Sequence, residues 1–137
     1  MPKITNICKD AAEDIIYLPK NTCLISISDE DIPEWSLKVS GENVLRLRFS
    51  DVRAVTIHKR KTYNPMTVAD AQRIIEFIEK NKEKDMIVNC AGGVSRSSSV
   101  SFFAHLCYGY QLKPQFWQLS LPNPMCLGML IVEFYRK

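Results

Sequence analysis

The stretch Asn89-Cys90-Ala91-Gly92-Gly93-Val94-Ser95-Arg96-Ser97 sets a thiol and a guanidinium six positions apart and joins them through small residues. It lies between the apolar run Met86-Ile87-Val88 and a helix-compatible segment beginning at Ser97, so a strand turning sharply into a helix is expected there. At a helix N-terminus several backbone N–H groups lack an intrahelical acceptor and the macrodipole is positive, which makes such a turn an anion site. Gly92 and Gly93 allow φ above zero, so the amides from Ala91 to Arg96 can converge on one oxyanion, and Arg96 adds a planar, two-pronged donor. The same field favours a thiolate at Cys90, drawing a cysteine pKa from ~8.5 toward the ~3.5–7.5 range found near helix N-termini and cations. The chemistry this permits is nucleophilic attack on a bound phosphoryl group.

A buried cysteine that ends a strand is usually a small hydrophobe, which suffices for Cys8, Cys23, Cys107 and Cys126. It leaves unexplained the two glycines and the arginine that follow Cys90, and the three serines directly after that arginine. The glycine-rich nucleotide patterns GxxxxGK[ST] and GxGxxG are absent. The five cysteines have no short paired spacings, and His58 and His105 lie far apart without a carboxylate cluster. Neither a disulfide framework, a metal site nor a cofactor is expected.

Several elements must hold this loop. Leu24 to Ser28 alternates apolar and small polar residues and reads as a strand, broken by Asp29-Glu30-Asp31-Ile32-Pro33. Val44 to Phe49 alternates more strictly, with Arg46 and Arg48 on the face opposite the apolar residues, and ends at Ser50-Asp51. After a polar stretch from His58 to Asn64, Thr67 is placed as an N-cap with Asp70 three residues on, and Ala71, Ile74, Ile75 and Ile78 mark one face of a helix to about Asn81. Met86 to Val88 is the buried strand before the Cys90 loop. Ser97 to Tyr110 follows as a helix that stops at Gly109, and Met125 to Tyr135 as a last helix after Pro122-Asn123-Pro124. Strands alternating with helices predict an α/β fold, a mostly parallel central sheet flanked by helices.

The composition is consistent with one domain over residues 1–137, with 46% apolar residues for a core. A formal charge of +3 is too small for a dedicated nucleic-acid binder. No apolar run approaches the ~20 residues of a membrane span and no leader-like segment stands at the N-terminus, so a cytoplasmic protein without a membrane partner is expected.

Val88 to Ser98 resembles the HCxxGxxRS signature of cysteine-dependent protein tyrosine phosphatases, the small dual-specificity type above all. The order of elements agrees over roughly residues 20 to 135. The resemblance implies a dual-specificity phosphatase-like fold, Cys90 as the nucleophile of a phosphocysteine intermediate, and Arg96 with the amides of Ala91, Gly92, Gly93, Val94 and Ser95 as the phosphate cradle. It also implies Ser97 as the hydroxyl that steadies the leaving thiolate. Asp51, matching the aspartate after the Leu-x-Leu-x-Phe run, becomes the acid that protonates the leaving group. Asp70 is better placed as a capping carboxylate, and Asp29 and Asp31, in a different loop, stay open as outlying alternatives for the acid. Asn123 resembles the asparagine that braces the loop from behind, and a turn residue between two prolines is the alternative.

Asn89 departs from the pattern, which has histidine before the nucleophile. An amide replaces some hydrogen bonds but carries no charge, so a higher Cys90 pKa than in histidine-bearing relatives is expected. The variable loop positions carry no charge, which favours a phosphorylated protein or peptide over a polyanionic headgroup, in a shallow cleft taking phosphotyrosine with tolerance for phosphoserine and phosphothreonine. His58-Lys59-Arg60-Lys61 either flanks that cleft or is a solvated face. A non-catalytic module that binds phosphorylated partners stays open, and rhodanese-like or arsenate-reductase-like chemistry fits the loop size and position less well.

Overall fold

The computed structural model describes residues 1–31 and 37–137; Ile32 and Pro33, read above as part of a strand-ending loop, lie outside the described residues. Among those described, β1 (Lys3–Ile7), β2 (Thr22–Ser28), β3 (Val44–Arg48), β6 (Asp85–Asn89) and β7 (Gln111–Leu112) form one sheet in the order β3-β2-β6-β1-β7. Every pairing in it is parallel. β2 is buried at all seven positions because both faces are covered. Cys23, Ile25 and Ile27 enter the larger core beneath α2 (Val68–Asn81), α3 (Arg96–Tyr108) and α5 (Pro124–Arg136), the last preceded by the single turn α4 (Phe116–Leu119). Leu24 enters a smaller core with Ala12 of α1 (Lys9–Glu13) and with Leu37 and Val39 on the opposite face. The period-2 alternation of a strand is what divides these side chains between two layers.

The helices begin and end as their residues dictate. Thr67 Oγ1 accepts the Asp70 N–H at 3.1 Å while Asp70 Oδ2 accepts the Thr67 N–H at 3.0 Å, a complete capping box that occupies Asp70. Gly109 ends α3 at φ +74, a left-handed cap that glycine adopts without steric cost. Asn123 caps α5, its Oδ1 accepting from the N–H groups of Met125 and Cys126, with Pro124 in the first turn where a missing N–H costs nothing.

The polar stretch after Asp51 is not a plain loop. Thr56–His58 (β4) and Lys61–Tyr63 (β5) make a separate antiparallel hairpin in the register Thr56↔Tyr63, Ile57↔Thr62 and His58↔Lys61. Its two-residue turn is Lys59-Arg60, at φ +49 and +65. Such turns ordinarily use Asn-Gly, and each left-handed non-glycine residue costs about 1 kcal/mol.

Candidate active site

β6 ends at Asn89, and Cys90 to Ser95 form the turn into α3, so the loop stands at the carboxyl edge of the sheet with β1 and β2 on either side of its strand. Only Gly93 uses positive φ here, at +73, whereas Gly92 does not. A Cβ on Gly93 would fall 2.6 Å from the Ile7 carbonyl carbon, so the loop lies directly on the end of β1. Asn6 Nδ2 donates to the Gly93 carbonyl at 2.5 Å, and the Lys9 N–H donates to the Ala91 carbonyl at 3.0 Å. The serine run is absorbed into the same framework: Ser97, Ser98 and Ser99 are fully buried. Ser98 Oγ donates to the Val94 carbonyl and Ser99 Oγ to the Ser95 carbonyl.

Cys90 is 2% exposed, and its Sγ lies 3.2 Å from Ser97 Oγ. Burial alone pushes the thiol up. The Ser97 hydroxyl, the Ser97 N–H, the Arg96 charge and the Gly93 N–H together outweigh burial, and the thiol sits below its ordinary value. Cys126, buried nearby in the first turn of α5, goes the other way: burial, reinforced by the Asp51 charge, pushes it up to about 12. The two thiols thus differ by environment, and Cys90 is the one held ready to ionise.

Arg96 is 4% exposed and anchored from one end of its guanidinium. Nη1 donates to the Phe49 carbonyl at 2.8 Å and forms an ion pair with Asp29 Oδ1 at 2.8 Å, while Nε is buried with no hydrogen-bond partner. A buried unpaired donor on a cation is costly, and an anion over the loop would satisfy it. The sequence puts Asp29 in a separate loop; the sheet brings it to Arg96 because β2, whose end it follows, pairs directly with β6. The type of residue was visible, its partner 67 positions downstream was not.

Asp51 follows β3 at the rim of the loop. Its Oδ1 accepts from Ser95 Oγ at 2.9 Å and from Asn123 Nδ2 at 2.8 Å. Asn123 Nδ2 also donates to the Val52 carbonyl at 3.2 Å, and the Asn123 N–H donates to Ser99 Oγ at 2.7 Å. Asn123 therefore joins the Asp51 loop, the serine run and the start of α5, rather than serving only a turn. Asp51, Ser95, Asn123, Val94, Arg53 and Leu121 line a cleft of about 410 Å³. Asp70 and Asp31 lie elsewhere, one in its capping box and the other paired with Lys61. Asn89, 1% exposed, keeps a buried Oδ1 without a hydrogen-bond partner.

The arrangement can hold an oxyanion against a thiolate with a carboxyl group at its edge. No helix among the described residues is long and apolar enough to cross a membrane. No protein-family model matches the chain, and no curated protein matches it. Solved structures do. Tk-PTP in its active form matches with a TM-score of 0.54 at 15% identity, over 100% of this chain and 95% of that one. PTPMT1 in complex with PI(5)P matches with a TM-score of 0.55 at 14% identity, over 98% and 91%. PTP-2 phosphatase of Cydia pomonella matches with a TM-score of 0.51 at 18% identity, over 79% and 68%. The likeness runs through the N-terminal strand as well as the segment from residue 20 onward, and at these identities it is one of fold. The chain is built on the α/β fold of the cysteine-dependent protein tyrosine phosphatases.

Proposed function

We propose that this protein is a phosphoric monoester hydrolase that removes phosphate from phosphotyrosine, with tolerance for phosphoserine and phosphothreonine, in proteins or peptides. The observation that carries this is the Cys90–Ser97–Arg96 cluster, a thiol drawn below its ordinary value beside a buried guanidinium with an unpaired Nε. The Cys90 thiolate attacks phosphorus, the phosphorus–oxygen bond to the substrate breaks, and Asp51 gives its proton to the departing oxygen. Asp51, now a carboxylate, takes a proton from water as the water oxygen attacks phosphorus. The sulfur–phosphorus bond breaks, and the Ser97 hydroxyl donates to the returning thiolate.

One neighbour, PTPMT1, holds PI(5)P. The uncharged Ala91, Gly92, Val94 and Ser95 favour a simple monoester over a polyanionic headgroup here. The reading covers residues 1–137 as one phosphatase-like domain and places it in the cytoplasm, in keeping with an odd set of five cysteines. The orphaned Oδ1 of Asn89 supports a second reading, a module that binds phosphorylated partners with little turnover.

Hydrolysis of a generic aryl phosphate by the pure protein decides between them. The enzyme loses all turnover as Cys90→Ser while keeping its fold, and Asp51→Asn loses most turnover while still binding phosphate. No hydrolysis at any pH, with phosphopeptide binding intact, establishes the binding module instead.

A further inference from the structure

The hairpin beyond Asp51 is exposed along its length except at Tyr63, and its turn spends two left-handed non-glycine residues on presenting Lys59 and Arg60. Among the described residues neither of these, nor Arg53, is paired with a carboxylate. An isolated two-stranded ribbon is marginally stable in water. This one is fastened by three successive acids. Glu30 accepts from Ser50 Oγ at 2.7 Å, from the Asn64 N–H at 2.6 Å and from Asn64 Nδ2 at 2.9 Å, clamping both ends of the excursion that carries Asp51 and the hairpin. Asp31 holds Lys61 at 2.5 Å, and Asp29 holds Arg96. The turn end of the ribbon, where Lys61 pairs with His58, is thereby tied, within two residues of chain, to the guanidinium of the phosphate cradle.

Resting on the phosphatase reading, we infer that the Lys59-Arg60 tip is a docking arm for acidic side chains flanking the phosphorylated residue of a protein substrate. Among the described residues the tip carries two cations without a carboxylate partner, held at a fixed place, and complementary charge is what it would recognise. Asp29 and Asp31 bridge Arg96 and Lys61, so the tip lies on the order of 15 Å from the cradle, which extended peptide covers in about four residues. The favoured acids are those three to five positions from the phosphotyrosine. Lys61, already neutralised by Asp31, takes no part.

The test uses two phosphotyrosine peptides that differ only by Glu or Gln at those positions, with the unaltered protein and with a double variant, Lys59→Asn and Arg60→Gly. That variant installs the turn residues this geometry prefers, so it removes both charges without endangering the fold. At low salt the unaltered protein should show a KM about tenfold lower for the acidic peptide, the size two exposed ion pairs supply, fading at high salt. The double variant should treat both peptides alike, turn over a small aryl phosphate as before, and melt no lower. An acidic preference that survives in the double variant, or none in the unaltered protein, overturns the inference. So does retention on phosphatidylserine vesicles that depends on the two cations while peptide KM does not, which would assign the tip to a membrane. If no substrate is hydrolysed at all, the phosphatase reading fails separately. Peptide binding to Cys90→Ser, with and without the tip changes, then reads the arm directly: a tenfold weaker Kd for the acidic peptide upholds it and an unchanged Kd overturns it.

Discussion

Gly93→Ala and Gly92→Ala are adjacent, chemically identical changes that should have very different outcomes. A Cβ on Gly93 would stand 2.6 Å from the Ile7 carbonyl carbon, 2.7 Å from its oxygen and 2.8 Å from Cys8 N. Carbon atoms pack comfortably at ~3.5–4.0 Å, so the loop and the end of β1 would have to separate by about 1 Å. The obstructing atoms are backbone, and Ile7 is held in register with Asn89 of β6, so no side chain can turn aside to make room. Overpacking of this kind costs ~1–3 kcal/mol, and a left-handed alanine adds ~1–2 kcal/mol. About 3 kcal/mol in a chain of this size is a fall of roughly 10 °C in Tm. Separation also breaks the Asn6 and Lys9 hydrogen bonds to the loop, so its amides no longer converge. Gly92→Ala meets only Val94 Cγ2, at 3.9 Å, without a positive φ, and should stay within about 0.5 kcal/mol of the parent. Thermal unfolding with and without orthovanadate is the assay. Gly92→Ala should keep both the Tm and the vanadate-induced rise, and Gly93→Ala should lose both. A Gly93→Ala protein that melts with the parent and still responds to vanadate would refute the close packing of loop on strand.

Four further outcomes follow from the site. Ser97→Ala should raise the pH of half-maximal Cys90 alkylation by iodoacetamide, since the hydroxyl is the leading group opposing burial at that thiol. Because the folded Cys90 value is lowered, its contribution to stability is present above the unfolded thiol value near ~8.5 and disappears as pH falls through the folded one; the stability gap to Cys90→Ser should widen as pH rises toward the unfolded thiol value. Asn89→His should shift alkylation to lower pH, because an imidazolium adds charge where an amide leaves an orphaned oxygen. Asn123→Asp should keep α5 capped yet put a second carboxylate 2.8 Å from Asp51 Oδ1, lowering turnover about tenfold while Tm moves only a few degrees.

What the residues disclosed in advance was mostly local. The capping box at Thr67 and Asp70, the stop at Gly109 and the apolar face of α2 each depend on neighbours within one or two turns, and each stands where the pattern put it. The chain from Met86 to Ser97 reads as strand, turn and helix for the same reason. β1 escaped notice because Lys3-Ile4-Thr5-Asn6-Ile7 is short and polar, and its place is settled by β6 and β7, far along the chain. The hairpin was hidden by its turn, since Lys59-Arg60 replaces the Asn-Gly that would have announced it. Asp29, Glu30 and Asp31 read as a charged break after a strand. That each has a different partner, on α3, at the two ends of the Asp51 excursion and on the hairpin, is a property of three dimensions that no spacing encodes.

β1 has a bearing on how this molecule comes together. It is the earliest strand of the sheet in chain order, yet it sits between β6 and β7, whose residues are 78 or more positions downstream. Until that later chain arrives, β1 has neither lateral neighbour, while β2 and β3 can already pair with each other. Closure of the sheet is therefore a late, long-range event, of the kind that slows folding and exposes unpaired strand edges. The Ile7 carbonyl on which Gly93 rests comes with it. The loop from Cys90 to Ser95 can therefore settle against β1 only once that closure is made, and a chain caught half-folded has its thiol without the backbone wall that shapes the turn around it.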